Sequence, residues 1–291
     1  MYSVEYNSLE LIPNKWDVAF IGSHEDDRDI AIKNFLENSS SKIHSVQYEN
    51  ENMELIVDNK KNQLHEKIDA LYNLKGKQIV IDATSMSVAE LYIISKLLYN
   101  NNHSDFDVIY AEPEEYTKNK DHFNLSDSGL GFSSAGIPSL STPEGERRHF
   151  IFLLGYEGDR FSDAMESLSI EPEEVTIFFG IPSYKFDWEK NSYSNNIKVI
   201  ADNQLNDRFI FCGANNPVSV CREMKEIAKL NNKATISIIP IGTKPQAIGC
   251  IPSICGFNMS NPAELIWDHP VRKKGRTKGI SSIIITKNIF E

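Results

Sequence analysis

Two short stretches of this chain combine residue types that could do chemistry. Gly242-Thr243-Lys244-Pro245 follows an apolar, β-branched run from Ala234 to Ile241 and places a glycine, a hydroxyl and a cation at a strand-to-helix turn. Such a loop, at the carboxyl end of a strand and beside the N–H groups of a helix start, suits an anion. Glu157-Gly158-Asp159-Arg160 closes a second apolar run, His149 to Leu154. Glu157 and Asp159 are the candidates for catalysis, by holding a metal or activating water, and Arg160 is a candidate for gripping an anion. Lys244 and Arg160 stand out because a cation at a helix start opposes the helix dipole and gains nothing locally from being there.

The remaining candidates for ligand contact lie in other strand-to-helix loops: Ser23 and His24, Thr84 and Ser85, Glu112, Asn215 and Asn216, Gly242 and Thr243, and Asp268 and His269. Each has a plain structural alternative, since Ser, Thr and Asn cap helices, Gly permits turns, and Glu-Pro or Asp-His-Pro ends a strand. Arg272, Lys273, Lys274, Arg276 and Lys278 form a basic run. It reads either as a solvated hairpin tip or as side chains, Arg272 first, that reach over an anionic ligand. Charge-assisted hydrogen bonds to such a ligand stabilise by about 1.5–3 kcal/mol each.

These loops need elements to position them. Buried strands are expected at 17–22, 43–48, 77–82, 107–113, 149–154, 175–179, 209–212 and 234–241, with a terminal edge strand at 280–286. Helices are expected at 25–38, with Ala31, Phe35 and Leu36 inward, at 64–74, from Ser87 to Tyr99, after Arg160, and from Pro217 to Leu230. Ser87 and Glu90 have the spacing of a capping box, and Asn216-Pro217 that of an N-cap followed by a first helical proline. The acidic Glu25-Asp26-Asp27 offsets a helix dipole. The Asn-rich stretch from Pro182 to Asp207 reads as irregular.

The pattern is that of an α/β protein: two tandem Rossmann-like βαβ units with mainly parallel sheets. The first spans 1–115 and the second 149–291, the latter with the basic loop and the terminal edge strand. Residues 116–148, rich in Gly, Ser and Pro, are a linker or an ordered loop. Ile79 to Thr84 and Ile109 to Pro113 mirror Ile239 to Thr243 and Ile266 to Pro270, which leaves internal duplication and coincidence both open. Two facing units would bring the candidate loops towards one cleft.

Composition narrows the function. The chain has 291 residues, 41% hydrophobic and 24% charged, enough to bury a core of one or two domains. A net charge of −11 argues against extended nucleic acid as partner. No signal peptide or membrane span is legible, so a cytoplasmic protein is expected. The four cysteines form no Cys-x-x-Cys pair and read as buried free thiols. Gly-x-Gly-x-x-Gly, the P-loop, His-Glu-x-x-His and Gly-x-Ser-x-Gly are absent. No cofactor and no bound metal are expected.

The loop Ile241 to Gly249 resembles that of CARF-type Rossmann sensor domains of prokaryotic defence systems, where Gly-Thr-Lys after a strand faces a cyclic oligonucleotide. Ile241 stands where that family usually has a further glycine. Asp17-Val-Ala-Phe-Ile-Gly22-Ser23-His24 in turn looks like the opening of TIR domains. The resemblances imply a sensor or binding module for an anionic, nucleotide-like small molecule, in an antiviral defence or regulatory setting. The alternatives are an enzyme that cleaves a nucleotide-type substrate and a scaffold subunit that binds a protein partner or forms a homodimer.

Overall fold

A computed structural model describes residues 1–13, 15–23, 26–117, 125–127, 131–132, 136–138, 140–141, 147–273 and 275–291. In chain order the elements are β1 (Tyr2–Tyr6), β2 (Trp16–Ile21), α1 (Asp27–Ser39), β3 (Ser40–Glu49), β4 (Glu54–Val57), β5 (Lys60–Gln63), β6 (Ile79–Asp82), α2 (Val88–Asn100) and β7 (Phe106–Tyr116). They continue with β8 (Ser126–Asp127), β9 (Arg148–Leu154), α3 (Gly158–Ser167), β10 (Val175–Gly180), α4 (Glu189–Asp202), β11 (Phe209–Cys212), α5 (Pro217–Leu230) and β12 (Thr235–Pro240). The last are α6 (Lys244–Gly249), α7 (Ile251–Ile254), β13 (Ala263–Leu265), β14 (Val271–Arg272) and β15 (Thr277–Lys287).

The chain is mixed α/β and divides into two compact units. The first, Met1–Tyr116 with Ile137–Ser139 and Lys274–Glu291, holds an eight-stranded sheet of order β1-β15-β7-β6-β2-β3-β4-β5. Its centre, β7-β6-β2-β3, is parallel, and its flanks are antiparallel. The second unit holds a five-stranded sheet of order β11-β10-β9-β12-β13, parallel throughout. The near-continuous apolar runs of β6, β9 and β12 fit strands covered on both faces. Setting β11 aside, the four strands of the second sheet follow the same spatial order as the parallel four of the first: second, first, third, fourth.

Several expectations are corrected. The terminal strand is not an edge of the second unit: β15 lies between β1 and β7, antiparallel to both, and its Ile283 and Ile285 enter the core around Ile32, Leu36, Val80 and Ile109. The expected helix over 64–74 is only a single 3-10 turn at Asp69–Leu71, preceded by the β4–β5 hairpin of residues 54–63. Ile68 and Leu71 are buried there, a three-residue spacing that one short turn satisfies as well as a helix. The stretch read as irregular contains α4, whose buried stripe is Ser192, Asn196 and Ile200. A stripe that is two-thirds polar gives no hydrophobic period to read. In α1 the buried residues are Arg28, Asp29, Ile32 and Leu36, with Ala31 and Phe35 only half-buried. Within 116–148, Phe132 packs in the second unit's core, and Leu140 is fully buried with its carbonyl accepting from Leu265 N–H.

Candidate functional site

In both sheets the chain reverses its direction of strand addition beside the first parallel strand, between β2 and β6 and between β9 and β12. Crevices at the carboxyl ends of parallel strands, at such a switch, are where open α/β sheets bind ligands. The loops flanking each switch touch through glycine. A Cβ on Gly22, which follows β2, would fall 2.5 Å from the carbonyl oxygen of Ser85, which follows β6. A Cβ on Gly155, after β9, would collide with the carbonyl oxygen of Ile241, after β12, and one on Gly242 would sit 2.8 Å from the carbonyl of Leu153.

In the first unit the candidate hydroxyls are spent on closing this loop. Asp82, fully buried, accepts from Thr84 N–H at 2.8 Å and from Ser85 Oγ at 2.5 Å. Ser85 Oγ accepts in turn from Gly22 N–H, and Thr84 Oγ1 from Ala111 N–H. Glu112 is buried beside Ser282, whose hydroxyl donates to it at 3.4 Å. Ser23 is exposed, and His24 lies outside the described residues. Ser87 and Glu90 form the expected capping box at the start of α2.

In the second unit three candidates meet. Arg160 donates from Nε and from one terminal nitrogen to the two oxygens of Asp268, each at 2.6 Å, and from the other to Glu157 at 3.0 Å. Its guanidinium also lies 5.5 Å from the centre of the Trp267 ring. Burial works against the Arg160 charge, but the hydrogen bonds and charges of Asp268 and Glu157 outweigh it and hold the pKa above its ordinary value. The other Glu157 oxygen accepts from Ser126 N–H at 2.8 Å and Ser126 Oγ at 2.5 Å, which ties β8 to this cluster. The expectation that a cation at position 160 gains nothing locally is corrected: Arg160 pairs with Glu157 three residues earlier as well as with the distant Asp268. Next to Asp268, His269 takes a left-handed φ of 49°, and burial pushes its imidazole pKa down against the pull of Asp268.

The catalytic candidates are poorly placed for metal or water chemistry. Glu157 is engaged by Arg160 and Ser126, and Asp159 is exposed with no hydrogen bond among the described residues. Among the described residues no three His, Cys, Asp or Glu side chains stand together as a metal site. All four cysteines are buried, and none is in a disulfide.

The Gly242-Thr243-Lys244 loop carries a capping box. Thr243 N–H donates to Gln246 Oε1 at 3.2 Å, Gln246 N–H donates to Thr243 Oγ1 at 3.4 Å, and that hydroxyl donates to Ala214 O at 2.5 Å. Lys244 is half-buried. Asn216 caps α5 by accepting from Ser219 N–H, Asn215 is half-buried beside Gly213, and Arg272 is paired in β14 with Ser126 of β8.

Four polar side chains that sequence reasoning missed complete this end of the sheet. Gln246 is fully buried, and its Nε2 has no hydrogen-bond partner among the described residues; a Cβ on Gly180 would lie 3.7 Å from it. Ser192 and Asn196 of α4 both donate to Gly155 O, at 2.8 and 2.9 Å, and Asn195 donates to Tyr156 O. The Thr-x-x-Gln spacing was a legible capping signal for Gln246. Nothing marked the asparagines, because their partners are carbonyls of a loop far away in sequence. Comparison with protein-family models and with curated proteins finds no match for this chain.

Proposed function

We propose that the second unit binds an anionic, nucleotide-like small molecule at the carboxyl end of its parallel sheet, at the switch between β9 and β12. The observation that carries this reading is the buried Gln246 Nε2, which has no hydrogen-bond partner among the described residues, two positions after the half-buried Lys244 at the start of α6 and beside Gly180 at the end of β10. An unsatisfied buried donor is costly, and an acceptor atom of a ligand or of bound water would relieve it. The resemblance of the Gly242-Thr243-Lys244 loop to CARF-type sensor domains supports a nucleotide-like ligand and a sensing role in defence. The engagement of Glu157 by Arg160 and Ser126 favours binding over hydrolysis.

Thermal denaturation of the full chain against mononucleotides, dinucleotides and cyclic and linear oligonucleotides tests this. A ligand should raise the midpoint in a concentration-dependent way. Lys244→Ala should weaken that ligand about tenfold, and Gln246→Leu should weaken it further. A panel without any stabilising anion would overturn the reading, as would an affinity that Lys244→Ala leaves unchanged.

A further inference from the structure

A second cluster lies in the first unit, on β3 and the β4–β5 hairpin. A cavity of about 300 Å³ is lined there by Lys42, His44, Val57, Asp58 and Lys60, with Ile68 among its apolar walls. Lys42 and His44 are two apart on β3 and so share a face of the sheet. Asp58 and Asn59 form the hairpin turn, both with left-handed φ, 52° and 66°, which matches the twist of the flanking strands. The turn sets the Asp58 carboxylate 2.5 Å from His44 Nδ1 and 3.0 Å from Ser45 N. His44 is 3% exposed and stacks on Phe20, ring centres 5.4 Å apart, so its ring is fixed in orientation.

A carboxylate only accepts, so Nδ1 is the donor, and in the neutral ring Nε2 is left as an acceptor. Nε2 makes no hydrogen bond among the described residues, and Lys42 makes no ion pair among them. Lys60 by contrast pairs with Asp69 at 3.6 Å. Tying the hairpin to β3 accounts for the Asp58–His44 bond, but not for the cavity beside the ring. The volume is at the lower end of small-molecule pockets, about 300–1,000 Å³. We infer that this cavity binds a small hydroxylated anion, its anionic group on Lys42 and a hydroxyl donating to His44 Nε2. Asp58 is the positioning residue.

The test is NMR of the full chain titrated with glycerol phosphate, inorganic phosphate and glycerol, with His44 ring signals identified by their loss in His44→Gln. Glycerol phosphate should shift the His44 Nε2 signal saturably, and inorganic phosphate and glycerol should each bind at least about tenfold more weakly. Lys42→Met, a change at an exposed residue, should weaken glycerol phosphate about tenfold. Asp58→Asn should weaken it as well. A His44 signal indifferent to glycerol phosphate would overturn the proposal. So would an affinity that Lys42→Met leaves unchanged, or inorganic phosphate binding as tightly as glycerol phosphate.

Discussion

Arg160 at the start of α3 and Asp268 after β13 meet through two parallel 2.6 Å hydrogen bonds across 108 positions of sequence. The pair closes the Trp267-Asp268-His269 loop onto the loop after β9. Asp268 is 5% exposed in its side chain and Arg160 15%, so removing one partner strands a largely desolvated charge. Asp268→Ala should cost about 3 kcal/mol, and the joint replacement of both by leucine should recover part of that loss, because Glu157 then loses Arg160 and keeps Ser126. Hydrogen exchange of the β9 amides in the single and double variants measures both. Equal losses in the two would show that packing, not the unpaired charge, dominates.

The glycines at the two switches predict a graded series. Gly22→Ala and Gly155→Ala place a methyl group against a carbonyl of the neighbouring loop and should each cost about 2–3 kcal/mol. Gly76→Ala meets no atom within 4 Å and strains only a φ of 75°, so about 1 kcal/mol is expected. Urea unfolding of the three variants gives the ranking; a Gly76 variant as damaged as the others would contradict it.

His149 makes the second unit sensitive to acid. The residue is 7% exposed, Nε2 lies 2.8 Å from Thr176 Oγ1, and burial, then the charges of Arg147 and Arg208, lower its pKa from 6.5 to about 4. Between those values the unfolded chain binds a proton that the folded chain refuses. Stability therefore falls as pH drops from 6.5 towards 4, by about 3 kcal/mol, and this contribution levels off below. His149→Gln should flatten that part of the stability profile measured by urea titration at several pH values.

The terminal strand is held by a buried network in the first unit. Arg28, 4% exposed, donates to Ala111 O at 2.7 Å, to Thr277 Oγ1 at 3.2 Å and to Asp26 at 3.0 Å, and Thr277 donates to Asp26. Burial pulls the Asp26 pKa up, but the Arg28 charge and these hydrogen bonds bring it below its ordinary value. Thr277→Val should cost about 1–3 kcal/mol, because it leaves Asp26 and Arg28 each short of a partner. Faster exchange at β15 and β1 amides than elsewhere in the unit is the expected signature.

Much of the architecture was legible because it is local. The strands of the two parallel centres, the capping box at Ser87, the N-cap at Asn216 and the loop after β12 rest on periodicity and on side chains bonding within a few residues. The misreadings have a common cause. α4 buries Ser192 and Asn196 to satisfy the carbonyl of Gly155, and the 64–74 segment buries Leu64, Ile68, Leu71 and Leu74 around a single 3-10 turn instead of along a helix. In both, distant groups decide what a local pattern leaves degenerate.

Taken alone, then, the sequence determined an α/β chain with glycine- and hydroxyl-bearing loops at the ends of apolar strands, because hydrophobic period and turn chemistry act over a few residues. Tertiary structure decided what each polar group does. It placed β15 inside the first sheet, spent Thr84, Ser85 and Arg160 on partners tens of residues away, and left Gln246 Nε2 buried without one among the described residues. A hydrogen bond or a buried charge is settled by which atoms lie within about 3 Å, and for groups so far apart in sequence only the packed chain fixes that.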